Sequence, residues 1–244
     1  MQAFMIALQF LTRLPITLKQ VPGAEQNGRS ALYYPLVGLL IGAVLLLAQS
    51  LLSGVPPMLQ AALLLSLWVA ITGGLHLDGL ADSADAWAGG FGDKQRTLAI
   101  MQDPRSGPIA VVVVLLLLLL KFAALAVLLD AGSNPALVLA PLLARSALPL
   151  LFLTTPYVRK GGLGQALSSH LPRAHVPWLL AAVVGFGVIF LPGAWLAVIT
   201  AGLVFLLCRQ LMLKRLGGTT GDTAGALLEV VECAIVVVLA CATS

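Results

Sequence analysis

From Ile109 to Leu120 the chain runs twelve residues without a polar side chain, and beyond Lys121 it continues apolar to Leu129. A run of that length matches the ~20 residues a helix needs to cross ~30 Å of hydrocarbon. Lipid offers no partner to backbone N–H and C=O groups, so such a segment closes its hydrogen bonds on itself as a helix. Similar runs fall at about residues 34–53, 59–75, 136–154, 176–192, 195–213 and 223–241, which with 108–129 makes seven. Charged residues are 10% of the chain, far below the roughly 25% of soluble domains, and the mean hydropathy is +1.01. The expected fold is all-α: a polytopic integral membrane bundle of about seven transmembrane segments. It forms a single domain over 1–244, because the longest polar connection, 76–107, carries the chemistry-bearing motifs itself and leaves nothing for a second domain.

The basic residues set an orientation. Arg13, Lys19 and Arg29 precede the first run; Lys94, Arg96 and Arg105 lie between the second and third, Arg159, Lys160 and Arg173 between the fourth and fifth, and Lys214 and Arg215 between the sixth and seventh. The alternate connections, around 54–58, 130–135 and 192–194, hold no Lys or Arg. The positive-inside rule then places the N-terminus and the charged connections of this multi-pass protein in the cytoplasm. The net charge of +4 is explained by topology, and nucleic-acid binding is not expected. The opening MQAFMIALQFLTRLP has no positive charge ahead of its apolar stretch, unlike a signal peptide. It reads as a short interfacial helix ending before Pro15. Cys208, Cys233 and Cys241 show no metal or disulfide spacing and read as small apolar packing.

Six of the ten acidic residues fall in two short stretches: Asp78, Asp82 and Asp85 in GGLHLDGLADSAD, and Asp222, Glu229 and Glu232 in GGTTGDTAGALLEVVE. At about 100° per residue the first three share a ~60° arc of a helix, with no Lys or Arg at i+4 to neutralise them. In the second stretch Asp222 and Glu229 share a face, and Glu229 and Glu232 sit inside an apolar segment where an ionised group needs compensation. Oxygen-only donors suit a hard cation such as Mg²⁺. The expected metal ligands are therefore Asp78, Asp82, Asp85, Asp222, Glu229 and Glu232, with Asp82 or Glu229 as the catalytic base. A Gly pair stands five and four residues before both Asp78 and Asp222, which suggests two halves of one site. These glycines serve either positive-φ turns or close helix packing.

In FGDKQRTLAIMQDPRSGP, Arg96, Asp103 and Arg105 are candidates to grip phosphate, with Arg13 and His76 as further substrate contacts. Arg145, inside an apolar segment, either binds a ligand or pairs with an acidic residue. A cation or small-solute transporter is the alternative class, but the carboxylates gather at one membrane face and the opposite connections are short and uncharged.

FLTRLP at 10–15, YYPLVGLLIG at 33–42, GGLHLDGLADSADAWAGG at 73–90, MQDPRSGP at 101–108 and GGTTGDTAGALLEVVE at 217–232 resemble, in collinear order, the cobalamin synthase (adenosylcobinamide-GDP ribazoletransferase) family. The resemblance implies a Mg²⁺-dependent inner-membrane enzyme that joins α-ribazole, or its 5′-phosphate, to adenosylcobinamide-GDP and releases GMP. It also implies that both acidic motifs are functional. A homo-oligomer and other cobalamin-pathway enzymes are the candidate partners besides the bilayer and the substrates.

Overall fold

The computed structural model describes residues 1–18, 21–159 and 163–243, so Lys19 and Lys160, counted above for orientation, lie outside the described residues. The described elements are α-helices with one short 3₁₀ turn, Ala31–Tyr33. In order they are α1 (Gln2–Leu11), α2 (Ala24–Ser30), α3 (Tyr34–Leu51), α4 (Pro57–Thr72), α5 (Leu75–Gly89), α6 (Lys94–Ile100), α7 (Pro108–Asp130), α8 (Ala136–Thr154), α9 (Leu163–Ser169), α10 (Val176–Phe190), α11 (Ala194–Leu216) and α12 (Gly221–Ala242). α1 ends at Leu11, where the Thr12 hydroxyl donates back to the Leu8 carbonyl, ahead of Pro15 as expected.

All seven apolar runs are helical, but their lengths differ. Five helices are long and apolar enough to cross a membrane alone: α2 running into α3, α7, α8, α11 and α12. A sixth span is reached if α4 and α5, which meet at 87°, count as one bent crossing. At 1.5 Å per residue α10 reaches only about 22 Å, so against the expectation of about seven segments five or six are long and apolar enough by length and composition.

α8 and α12 form the centre of the bundle, and most of their residues are buried. α7 and α11 are largely exposed, presenting Val111, Leu115, Leu119, Leu203 and Leu207 outward as a lipid-facing surface. α3 meets α8 through Gly38 and Gly42: a Cβ on Gly38 would fall 2.3 Å from the Pro141 carbonyl oxygen, and one on Gly42 2.8 Å from the Val138 Cα. Small residues four apart let two backbones approach where lipid gives no hydrophobic drive to do so.

The connections without Lys or Arg gather at one end of the bundle. The Gln49 side chain donates to Asn134 at 2.6 Å, and Ser133, Pro192, Gly193 and Thr243 line one small cavity there. At the opposite end lie the α4–α5 turn, the 101–107 loop, residues 155–159 and the α11–α12 turn, and Asp78 and Asp222 sit with them.

Candidate active site at the crossing of α5 and α12

Two consecutive glycines turn the chain from α4 into α5. Gly73 (φ +66°) and Gly74 (φ +69°) both occupy the left-handed region, which residues with a Cβ reach only at a cost. Gly217 (φ +70°) ends α11 in the same way. Gly218 serves close packing instead, since its Cβ would meet the Pro156 carbonyl oxygen at 2.2 Å. The repeated glycine pair therefore does two jobs, one for each of the readings left open by the sequence.

α5 then runs across the start of α12. A Cβ on Gly79 would lie 2.8 Å from the Asp222 carbonyl oxygen, and one on Gly225 3.3 Å from the His76 Cα. These contacts pair residue 76 with 225 and 79 with 222, so the two helices pass antiparallel with little between them. The N-terminus of α12 is fixed by a capping box in which the Thr220 hydroxyl accepts from the Thr223 N–H at 3.2 Å and Thr223 Oγ1 accepts from the Thr220 N–H at 2.9 Å. Asp78 and Asp222, 144 residues apart (222 − 78), consequently line the same cavity, of about 500 Å³, together with His76, Gln102, Arg159, Phe10, Phe152 and Tyr157.

Arg159 reaches Asp222 at 3.0 Å. A parallel bridge places it there: the Thr219 N–H donates to Pro156 O at 2.8 Å and the Val158 N–H to Thr219 O at 2.9 Å. Arg209 on α11 steadies the same segment through Thr154 O and Thr155 Oγ1. Asp82, one turn along α5 from Asp78, lies within electrostatic reach of Asp78, Asp85, Asp222 and Arg159. Among the described residues neither the Asp78 nor the Asp82 carboxylate has a hydrogen-bond or ion-pair partner. Four carboxylates against one guanidinium leave a local negative excess open to a cation.

The remaining expected site residues are placed differently. Asp85 caps α7, its carboxylate accepting from the Gly107 N–H and, at 2.9 Å, from the Ala110 N–H. Glu229 and Glu232, expected beside Asp222 as ligands, instead point into the bundle. Lys121 Nζ donates to Glu229 at 2.7 Å and to Glu232 at 2.6 Å, and Arg145 also binds Glu232. Lys121 further stacks 5.0 Å from the centre of the Trp68 ring. The compensation those glutamates need comes from cations on α7 and α8, and Arg145 pairs through Nη1 while its Nε and Nη2 have no partner among the described residues. No set of three or more His, Cys, Asp or Glu is arranged ready-made for an ion among the described residues.

Arg105 is exposed and Asp103 partly so, and they bind each other through two parallel hydrogen bonds of 2.9 and 2.7 Å. That pairing holds the Asp103 carboxyl down at about 2. Arg96 lies over the Phe91 ring at 5.1 Å, and the Arg13 side chain drapes over Gly73. His76 is buried, and neither ring nitrogen has a partner among the described residues. Sequence reasoning missed Lys121 as an ion partner and treated Arg159 only as a topology marker. The signal for Lys121 was available, since it is the lone charge inside the longest apolar run. For Arg159 there was none, because only the bridge to Thr219 brings it to Asp222.

A helical bundle with an apolar outer surface, and at one end a cavity lined by Asp78, Asp222 and the rings of Phe10, Phe152 and Tyr157, is an integral membrane protein with a polar site at that end. The chain belongs to the cobalamin-5-phosphate synthase family, whose model matches residues 3–240. It is 61% identical to the adenosylcobinamide-GDP ribazoletransferase of Pseudomonas aeruginosa over 240 residues, 98% of each chain. To the protein of that name from Stutzerimonas stutzeri it is 64% identical over 241 residues, again 98% of each. The Ectopseudomonas mendocina relative is 62% identical over 235 residues, 96% of this chain and 97% of that one. No solved structure matches the chain.

Proposed function

We propose that this chain catalyses the closing step of nucleotide-loop assembly, joining α-ribazole or its 5′-phosphate to adenosylcobinamide-GDP with release of GMP, at the cytoplasmic face of the inner membrane and with Mg²⁺ as cofactor. The observation that carries the reading is the convergence of Asp78 and Asp222 on one cavity at the α5–α12 crossing. In the reaction the ribose 3′-oxygen of the ribazole bonds to the phosphorus on the cobinamide side, and the bond from that phosphorus to the bridging oxygen breaks, leaving GMP.

The residues present fit Mg²⁺. This ion takes one or two carboxylates and fills its other positions from water and substrate phosphates, so it needs no cage of three side chains. Asp78 and Asp222 would hold it, and in place it would supply Lewis-acid stabilisation of charge on the diphosphate. Asp82, free of other partners, accepts the proton of the attacking hydroxyl. Arg159, about a third exposed beside Asp222, binds a phosphate oxygen in the fork geometry of its guanidinium. Arg13 and Arg96, at the same end of the bundle, are the further phosphate-holding candidates, whereas the Arg105 guanidinium is taken up by Asp103. Asp85 fixes α7 against α5, and Glu229 and Glu232 keep the bundle neutral inside and take no part in holding the ion.

The test is GMP release by the protein in liposomes supplied with both substrates. EDTA should stop it and Mg²⁺ restore it, and Asp82→Asn should abolish it while membrane insertion stays intact. Metal-independent turnover, or full activity in the variant, would sink the proposal.

A further inference from the structure

The cavity beside Asp78 and Asp222 has two kinds of lining. His76, Asp78 and Asp222 come together at the helix crossing, whereas Phe10, Phe152 and Tyr157, with Leu75 and Leu148, supply apolar wall. The Phe152 and Tyr157 rings touch, with centroids 6.5 Å apart. Phe10 is backed by Tyr34, stacked at 6.0 Å. The Tyr157 ring cannot withdraw, because it lies against Gly164 so closely that a Cβ there would come within 2.4 Å of a ring carbon. At the polar boundary, His76 is 4% exposed and both its ring nitrogens lack partners among the described residues. Buried polar groups are normally satisfied, and one neutral imidazole offers a donor and an acceptor together. A ligand carrying hydroxyl groups at one end and a flat apolar ring at the other answers both features.

We propose that this cavity is the subsite of the nucleoside nucleophile: the base lies against Phe10, Phe152 and Tyr157, and the ribose hydroxyls meet His76 and Asp78. The assignment rests on the transferase reading above and deepens it. A benzimidazole base has a hydrocarbon edge that suits Leu75 and Leu148. Guanine instead presents donors and an acceptor along one edge, which these side chains would leave unpaired at a cost. A volume of about 500 Å³ falls in the range of small-ligand pockets and leaves no room for a corrin ring beside a nucleoside. The guanosine and corrinoid arms of the other substrate therefore lie outside it.

Kinetics and hydrogen exchange in liposomes with Mg²⁺ test the assignment. Phe152→Leu and Phe10→Leu should each raise the KM for α-ribazole about tenfold, the worth of one stacked ring, with the KM for adenosylcobinamide-GDP within about twofold of wild type. Phe10 is only half-buried, so its variant keeps the test open if Phe152→Leu fails to fold. His76→Ala should lower kcat/KM for α-ribazole, and His76→Gln should recover part of the loss. In the wild-type protein, α-ribazole alone should slow amide exchange across residues 155–159 and 219–225, and GMP should not. A KM rise confined to adenosylcobinamide-GDP, protection by GMP, or no protection by α-ribazole overturns the subsite. Failure of the wild-type protein to release any GMP overturns the transferase reading instead, so the two failures are told apart.

Discussion

Replacing Lys121 with Met removes one of two cations from a buried cluster of four charges. In the intact chain Lys121 and Arg145 balance Glu229 and Glu232, and the side chains of Lys121 and both glutamates are at most 5% exposed. Lys121→Met leaves two carboxylates facing one guanidinium, a net charge of −1 with no water to screen it. Breaking a buried pair by removing one partner costs about 3–5 kcal/mol. For a chain of this size each kcal/mol moves the thermal midpoint by about 2–4 °C, so a fall of roughly 6–20 °C is expected. Adding Glu229→Gln returns the cluster to neutrality around the Arg145–Glu232 pair and should restore most of the loss. Thermal unfolding in detergent, read alongside GMP release, measures both effects. A single variant as stable as wild type, or a double variant no better than the single, refutes the charge-balance argument. A double variant that is stable but catalytically dead would return Glu229 to the reacting centre.

Gly79→Leu should separate α5 from α12, since the Asp222 backbone leaves no room for a side chain. Activity should fall at least about 100-fold, through misplacement of groups at the reacting centre. Gly202→Ala on α11, where a Cβ meets nothing within 4 Å, should instead be neutral or stabilising by up to about 1 kcal/mol. Arg159→Ala should lower kcat/KM roughly 10- to 100-fold, as expected for loss of a charge-assisted phosphate contact. Arg105→Ala should change it less than about threefold, because that guanidinium is already occupied by Asp103. Equal losses in the two variants would remove Arg159 from the site.

The membrane bundle was legible because lipid leaves the backbone one option over a run such as Ile109–Leu120, and the glycine pairs marked where the chain turns. Crossing length was less legible. Hydropathy continues through 176–192, yet α10 stops at Phe190, and Gly73–Gly74 bend the α4 segment away from α5. The acidic face of α5 was readable from spacing alone, because three carboxylates at i, i+4 and i+7 share one side of any helix. The partition of the second motif was not. Spacing put Asp222 and Glu229 on one face, but seven residues of rise carry Glu229 about 10 Å along α12. There Lys121 and Arg145, contributed by other helices, are the nearer partners. Periodicity describes one helix at a time and carries no information about which helices arrive opposite.

The order in which the cluster's members are synthesised gives it a second meaning. Lys121 and Arg145 emerge from the ribosome well before either of their anions, which both belong to α12. Until that segment docks, two positive charges sit in the half-built bundle with nothing to answer them, and unpaired charge in hydrocarbon is strongly unfavourable. Arrival of α12 discharges this strain and in the same movement sets Asp222 beside Asp78. α12, made after both cations, thus works as a latch, bringing Asp222 to Asp78 in the same docking that pairs Glu229 and Glu232 with Lys121 and Arg145.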